Sequence, residues 1–372
     1  MTTTKPRVQK LALTGGPGGG KTKLQKFIVK KATAIGYHVL VVPEAATELM
    51  NVGLSPHGSR TNLLNFQRAV LKKTLFCEQV REQELLASGL QKLLLVCDRG
   101  MPDIGAYVSD EDARLLLQEY GFAHPALARD SCYDAVLHMR TAALGADQHY
   151  SNKSNKQRSE DLEGARALDQ RTMNAWLGHE HLAVVGNTYG SFRGKLEAGW
   201  RAARRLLGIP VPLEIEKKFL VEPLNFSALG IPNAVIDVEQ YYLLLPEGGG
   251  KECRVRSWGE GGVATYTLTQ KREIAPDVRE EREERISEMV FAHYTKYQKS
   301  GTVPIQKRRT CFVYNDQYFM YDEFLTGRPG LTMLEIEVES PKSVVDLPPF
   351  VAVREDVSRN REYFNSTIAR IS

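Results

Sequence analysis

Residues Gly15-Gly16-Pro17-Gly18-Gly19-Gly20-Lys21-Thr22 spell G-x-x-x-x-G-K-T. Glycines at Gly15, Gly18, Gly19 and Gly20 let the backbone wrap an oxyanion closely, with N–H groups pointing inward. In this pattern Lys21 reaches the β/γ-phosphates and Thr22 ligates Mg²⁺. Far along the chain, Glu214-Ile215-Glu216-Lys217-Lys218 offers a second, unrelated phosphate chemistry. In a strand, alternate residues share a face, so Glu214, Glu216 and Lys218 point the same way.

That alternation of charge recurs. Arg254 and Arg256 share a face, as do Thr267, Thr269 and Lys271, and again Lys307 and Arg309. Arg279, Glu281 and Glu283 form another such set, and Glu335, Glu337 and Glu339 oppose Leu334, Ile336 and Val338. Carboxylate pairs suit a divalent metal, and cation pairs suit phosphate oxygens. A solvated sheet would carry mixed, unordered charge on each strand; here some strands carry paired carboxylates and others paired cations, all at period two. Turned inward, these faces would line a polar tunnel for a metal-chelated triphosphate, with every interior charge paired or metal-bound.

The elements that must position these groups differ between the halves. Strands at Val8–Thr14, His38–Val42, Lys92–Cys97, Ala135–His138 and Leu182–Val185 alternate with helices at Lys21–Ala34, Asn62–Ala87 and Lys195–Leu207. That order predicts a parallel sheet covered on both faces. Gly208-Ile209-Pro210-Val211-Pro212 breaks the pattern, and we place a linker there, between domains at 1–208 and 213–372. Beyond it the period becomes two, with strands expected at Leu213–Leu220, Glu239–Leu245, Glu252–Ser257, Thr265–Arg272, Arg279–Ile286, Ile305–Tyr314, Tyr318–Phe324 and Leu331–Glu339. These predict a closed antiparallel barrel, with helices at Ser287–Lys299 and Ser358–Ile371 covering its outside. The expected fold class is therefore an α/β phosphate-loop sheet followed by a mostly β tunnel barrel.

Composition narrows the classes. At 372 residues, 42% hydrophobic and 25% charged, the chain suits two soluble domains. No apolar run is long enough to cross a bilayer, and the longest, around Leu93–Cys97, reads as a buried strand. Met1 to Lys10 lack an apolar segment for secretion, so the expected location is cytoplasmic, with peripheral membrane contact as the alternative. Cys77, Cys97, Cys132, Cys253 and Cys311 are scattered and odd in number, fitting reduced thiols. His179-Glu180-His181 is too short for a metal site and reads as a solvated helix end. The net charge of +4 conceals an asymmetry: residues 1–213 carry 28 basic against 20 acidic side chains, and the remainder 21 against 25. A basic first half suits anionic partners such as nucleotides or acidic lipids; no nucleic acid is expected.

Companions to the phosphate loop lie at the carboxyl edge of the predicted sheet, where ligands bind in open α/β folds. Asp98 is placed as the Mg²⁺ carboxylate, Glu44 as a general base, and Arg158, Arg166 and Arg171 on a lid bracketed by the polar segment Gln148–Lys156. Gly15–Thr22, Val42-Pro43-Glu44, Phe66-Gln67, Asp98-Arg99 and these arginines give the first half a resemblance to the family holding the nicotinamide-riboside kinase domain of a bacterial NAD-pathway regulator. The resemblance implies acceptor binding and catalysis by Glu44, Gln67, Asp98 and Arg99. Pro17 and the glycine-rich loop interior depart from the serine-containing loops of those kinases, which leaves the acceptor open.

The second half resembles the triphosphate tunnel (CYTH) family, most specifically in the E-x-E-x-K run. That resemblance implies Mg²⁺ or Mn²⁺ held by Glu214, Glu216, Glu335 and Glu337. It implies triphosphate contacts from Lys218, Arg254, Arg256, Lys271, Lys307 and Arg309, with Glu281, Glu283, Asp322 and Arg361 as further tunnel residues. Joined in this order, the halves are similar to the family named TRPL translocation defect protein 14, which implies GTP binding and membrane-lipid binding in vesicle traffic. Three functions follow: hydrolysis of a triphosphate, with GTP or ATP bound by the phosphate loop; a regulatory GTP- and anionic-lipid-binding protein; or a small-molecule nucleoside kinase. We expect the first, with its chemistry in the barrel.

Overall fold

The computed structural model describes residues 7–149, 161–209, 213–244, 252–275 and 278–370. The chain divides into two compact units, Met1–Leu207 and Gly208–Ser372. In the first, β1 (Val8–Thr14), β2 (His38–Val42), β3 (Leu93–Asp98), β4 (Ala135–Met139) and β5 (Leu182–Val185) form a sheet in the order β2-β3-β1-β4-β5. Every pairing is parallel. All residues of β3 and β4 are buried, as expected for apolar strands covered on both faces.

The covering helices are α1 (Lys21–Thr33), α2 (Ala45–Asn51), α3 (Arg60–Ala87), α4 (Asp110–Gln118), α5 (Pro125–Asp130), α6 (Leu162–Asn174) and α7 (Phe192–Leu206). Packing of α7 on α1 needs Gly199, where a Cβ would meet the Leu24 methyls at 2.8 Å. Helices α3, α6 and α7 begin with Ser59, Asp161 and Ser191, whose side chains accept a first-turn N–H. Helix α1 differs. It starts at Gly20, with φ 93 and no side-chain cap, so its first N–H groups open onto the phosphate loop.

Register carries the site residues to one edge. Leu13 pairs with Asp98, Val42 with Cys97 and Thr14 with His138. The loop after β1, Glu44 after β2, Asp98 on β3 and Arg140 after β4 therefore share the carboxyl end of the sheet.

In the second unit, a ten-stranded antiparallel sheet runs β15-β7-β14-β13-β12-β8-β9-β10-β11-β6. Its strands are β6 (Leu213–Glu214), β7 (Glu216–Val221), β8 (Asn233–Tyr242), β9 (Glu252–Glu260), β10 (Val263–Ala275), β11 (Val278–Ile286), β12 (Ile305–Tyr314), β13 (Gln317–Phe324), β14 (Thr332–Glu337) and β15 (Val353–Asp356). Strands β6 and β7 are one run of chain. Its start pairs with β11, Arg279 to Glu214, while its continuation pairs with β14, Glu335 to Lys218. The two ends of the sheet thus meet, and the barrel is closed.

Closure gives the strands an inner and an outer face. Outside, Phe219, Phe312, Phe319, Tyr321, Leu334, Ile336 and Val351 form a core, and Phe226 of α8 (Phe226–Leu229) packs against it. A second outer cluster joins Val255, Tyr266 and Leu268 to Phe291 of α9 (Glu288–Tyr294), within the segment expected to cover the barrel.

The carboxyl-terminal segment departs from expectation. In place of one long helix, Arg361–Tyr363 makes a single 3₁₀ turn and α10 covers only Asn365–Ile368. Val357, Ile368 and Ala369 pack on Tyr242, Ile305, Phe324 and Met333, whose alternation with Lys307, Asp322 and Glu335 puts them on the inner face. This segment therefore plugs one end of the barrel, because the inner face is apolar there and needs covering. Strand β8 also starts six residues before the expected Glu239.

The Phe312 and Phe319 rings stack with centroids 5.5 Å apart, and Phe319 is fully buried. Replacing Phe319 with Ala should lower stability by about 3–5 kcal/mol, read as a shifted urea midpoint with unchanged slope.

Candidate functional site

The phosphate loop is held by close backbone approach. A Cβ on Gly15 (φ 126) would lie 2.2 Å from the Met139 carbonyl oxygen, and one on Gly19 would lie 2.4 Å from it. Only glycine fits at either position. Lys21 folds back over the loop, its ammonium donating to the Gly15 and Gly16 carbonyls at 2.8 and 3.0 Å. Burial, reinforced by Arg99, lowers the Lys21 pKa to about 8, against the opposing pull of Asp98, Glu44 and Asp103.

Thr22 donates to Asp98 Oδ2 at 3.2 Å, and the other Asp98 oxygen, Oδ1, is buried without a hydrogen-bond partner. Burial raises the Asp98 pKa. A hydroxyl beside a carboxylate with an unsatisfied oxygen is a donor set suited to Mg²⁺.

Arg99 adopts φ 75, a region that costs a non-glycine residue about 1–3 kcal/mol. Its surroundings fix it there: its N–H donates to the Leu13 carbonyl at 2.9 Å, Nε to Glu44 at 2.7 Å and Nη1 to Asp103 at 3.1 Å. Burial alone would raise the Glu44 pKa, but Arg99, Lys21 and Thr47 hold it down at about 2. Glu44 is thereby a firm partner of Arg99 and a weak proton acceptor.

Of the remaining first-half candidates, Gln67 is buried on α3. Arg166 donates to the Ala143 carbonyl at 2.6 Å and to Asp147 at 2.8 Å, securing the segment after β4. Arg171 is exposed on α6. Arg158, with most of the expected lid, lies outside the described residues. His179 is buried, not solvated: its Nε2 lies 3.1 Å from the Tyr133 carbonyl and its Nδ1 accepts from His181 N–H.

Inside the barrel the charges meet as complementary sets. Lys218 donates to Glu216 at 2.8 Å and Glu335 at 2.5 Å. Arg309 grips Asp322 through Nε and Nη2, both at 2.6 Å, and also reaches Glu335. Lys307 pairs with Asp322. Across the barrel, Arg254 and Lys271 share Glu281 at 3.2 Å each, and Arg256 holds Glu283 at 2.8 Å.

All six cations are buried, as are Asp322 and Glu335. Burial by itself would raise the Glu335 pKa; Lys218, Lys307 and Arg309 overcome it and hold the carboxyl well below the usual range. Glu337 sits opposite Glu216 across the β14–β7 ladder, which places two carboxylates side by side. The side chains of Glu214 and Arg279 lie outside the described residues. Arg361 stands apart from the set, 73% exposed and paired with Glu273.

Residues 10–192 match the family described as an AAA domain. No curated protein matches the chain. Among solved structures, the inorganic triphosphatase NE1496 is 26% identical, with 42% of this chain and 93% of that one covered and a TM-score of 0.30. PH1012 from Pyrococcus horikoshii OT3 is 22% identical over 36% and 80%, with a TM-score of 0.26. HpAC1 from Hippeastrum, described as revealing a dominant triphosphatase activity, is 16% identical over 34% and 80%, with a TM-score of 0.27. Among the described residues, no helix is long and apolar enough to cross a membrane.

Sequence reasoning passed over several residues. Asp103 secures Arg99 and Thr14. Trp258 faces two tunnel arginines, with the Arg256 and Arg309 guanidiniums 5.6 and 5.7 Å from its ring centre. Trp258 continues the Arg254–Arg256 alternation and could have been found from it. Asp103 and Asp169 are single acids in helical segments, with no spacing to mark them.

Glu335→Gln should destabilise the protein by about 3–5 kcal/mol in chemical denaturation, because Lys218, Lys307 and Arg309 lose a shared buried counter-charge. The same carboxyl sets a pH trend. Its folded value is depressed, so its contribution is complete above the unfolded value of about 4.3 and disappears as pH falls through the lower folded value. Gly19→Ala should abolish nucleotide binding by the loop in calorimetry, since its methyl meets backbone that cannot yield.

Proposed function

We propose that the chain is a Mg²⁺- or Mn²⁺-dependent triphosphate phosphohydrolase, whose barrel binds and hydrolyses a triphosphate and whose phosphate-loop unit binds GTP or ATP. The observation that carries this reading is the gathering of buried cations and carboxylates on the inner barrel face. Arg254, Arg256, Lys271, Lys307 and Arg309 line it from β9, β10 and β12, while Glu216, Glu335 and Glu337 come from the adjoining strands β7 and β14. Five buried cations can take the oxygens of a triphosphate, exchanging their present carboxylate partners for phosphate. The acid set, with Glu214, offers only oxygen donors and fits a hard divalent ion. Bound there, such an ion would neutralise phosphate charge and polarise the reacting group.

The residues themselves supply positioning and charge. The arginines and lysines hold the chain of phosphates extended and stabilise charge that develops on the terminal oxygens. Water adds to the terminal phosphorus as its bridging P–O bond breaks, which releases phosphate and a diphosphate end. Thr267, buried on the same inner face with its hydroxyl unpartnered, adds a neutral contact for an oxygen.

In the first unit, Lys21, Thr22 and Asp98 would hold the β/γ-phosphates and Mg²⁺. Glu44, neutralised by Arg99, is poorly suited to deprotonate an acceptor, and this favours nucleotide binding over transfer to a second substrate.

Phosphate release from tripolyphosphate, ATP and GTP, with Mg²⁺ or Mn²⁺ and with chelator, tests the reading. Glu216→Gln and Arg254→Ala should each lower turnover by about 100-fold or more, and chelator should abolish it. Lys21→Ala should leave barrel turnover intact while removing nucleotide binding. No release from any substrate, or loss in Lys21→Ala alone, would sink the proposal.

A further inference from the structure

Beneath the phosphate loop lies a carboxylate that the proposed chemistry does not use. Asp169, on α6, is fully buried. Its Oδ1 accepts from the backbone N–H of Gly16 at 2.8 Å and of Thr141 at 2.9 Å. Its Oδ2 accepts from Arg140 Nη1 at 3.0 Å and lies 3.2 Å from His138 Nε2. Burial favours the neutral form of His138, which leaves Arg140 as the charged partner.

The fit is specific to glycine on the loop side: a Cβ on Gly16 would stand 2.7 Å from the Asp169 Cβ. The same region is tied again where Thr141 Oγ1 donates to the Pro17 carbonyl at 2.5 Å. One turn earlier on α6, Arg166 holds Ala143 and Asp147.

A phosphate loop binds an anion only while its N–H groups converge. In this loop Gly16 N–H is directed away, to Asp169, while the Gly15 and Gly16 carbonyls take the Lys21 ammonium. One peptide orientation therefore depends on a side chain from a helix far along the sequence. We propose that Asp169 is a positioning residue for the phosphate loop. By accepting Gly16 N–H it holds the first turn of the loop in its binding shape and makes nucleotide affinity depend on how α6 is seated. This rests on the reading that the loop takes a nucleotide.

Two measurements on the full chain test it: hydrogen exchange of the peptide spanning Gly16, and the affinity for MgATP and MgGTP by calorimetry. Asp169→Ala should speed exchange at the loop and weaken affinity by about tenfold or more, as buried N–H groups lose their acceptor. Asp169→Asn keeps an acceptor oxygen and should stay within about threefold of the wild type. A merely structural role predicts instead a lower melting temperature with unchanged loop exchange and affinity below it, and that result overturns the proposal. Equal loss of affinity in the Asn and Ala variants also overturns it. If Asp169→Ala does not fold, Gly16→Ala displaces the same contact from the loop side, and unchanged loop exchange there is an equally adverse result. If the wild type binds neither nucleotide, the nucleotide reading fails, and the exchange comparison still decides whether Asp169 holds the loop.

Discussion

Charge cannot be taken out of water singly, and the second unit is organised around that constraint. Six buried cations face inward from its barrel strands, and each is matched by a carboxylate from its own or another strand. An isolated ion in such a place would cost several kcal/mol, so the acids and bases must arrive together. A barrel allows this because alternate residues of every strand converge on one interior. The apolar residues between them are turned outward, and Phe219, Phe312, Leu334 and Ile336 build the hydrophobic core on the outside of the wall. The usual arrangement of apolar inside and polar outside is thereby inverted. The interior is left as a set of buried, mutually paired charges.

The first unit answers a different constraint, the approach of backbone to backbone. Gly15 and Gly19 sit against the Met139 carbonyl, closer than any side chain permits. The loop is then shaped from three sides: Lys21 on its carbonyls, Asp169 on Gly16, and Thr141 on Pro17. Parallel pairing of β1 with β3 brings Asp98 to Thr22, and the strained turn at Arg99 brings that guanidinium to Glu44. Strain at Arg99 is tolerated because three donors of that residue are fixed at once.

Much of this was legible because it is local. Glycine spacing marks a phosphate loop wherever it falls, and period-two charge marks the face of a strand before any partner is known. Lys218, Arg254, Arg256, Lys271, Lys307, Arg309 and Glu335 were all identifiable in that way, whereas Asp322 came only from the family resemblance, and the structure gathers all of them on one interior. Other residues have surroundings that depend on distant chain. Arg361 follows no strand alternation and lies on the surface with Glu273. Glu44 has the chemistry of a base, but an arginine 55 residues away neutralises it. The carboxyl-terminal segment has helical character, yet the apolar end of the barrel interior recruits it as a plug.

The sequence by itself determined the type of the five parallel strands, of the helices α1, α3 and α7 and of most barrel strands, and the face on which the charged strand residues lie, since these follow from periodicities of the backbone. It also determined that one loop must admit oxyanions, because only glycine permits that path. Tertiary structure alone decided which charge meets which. Closure of the barrel through Leu213–Val221 sets strands from opposite ends of the unit side by side. The seating of α6 puts Asp169 under the phosphate loop. Such pairings depend on register and packing between segments far apart in the chain, and no local spacing records them.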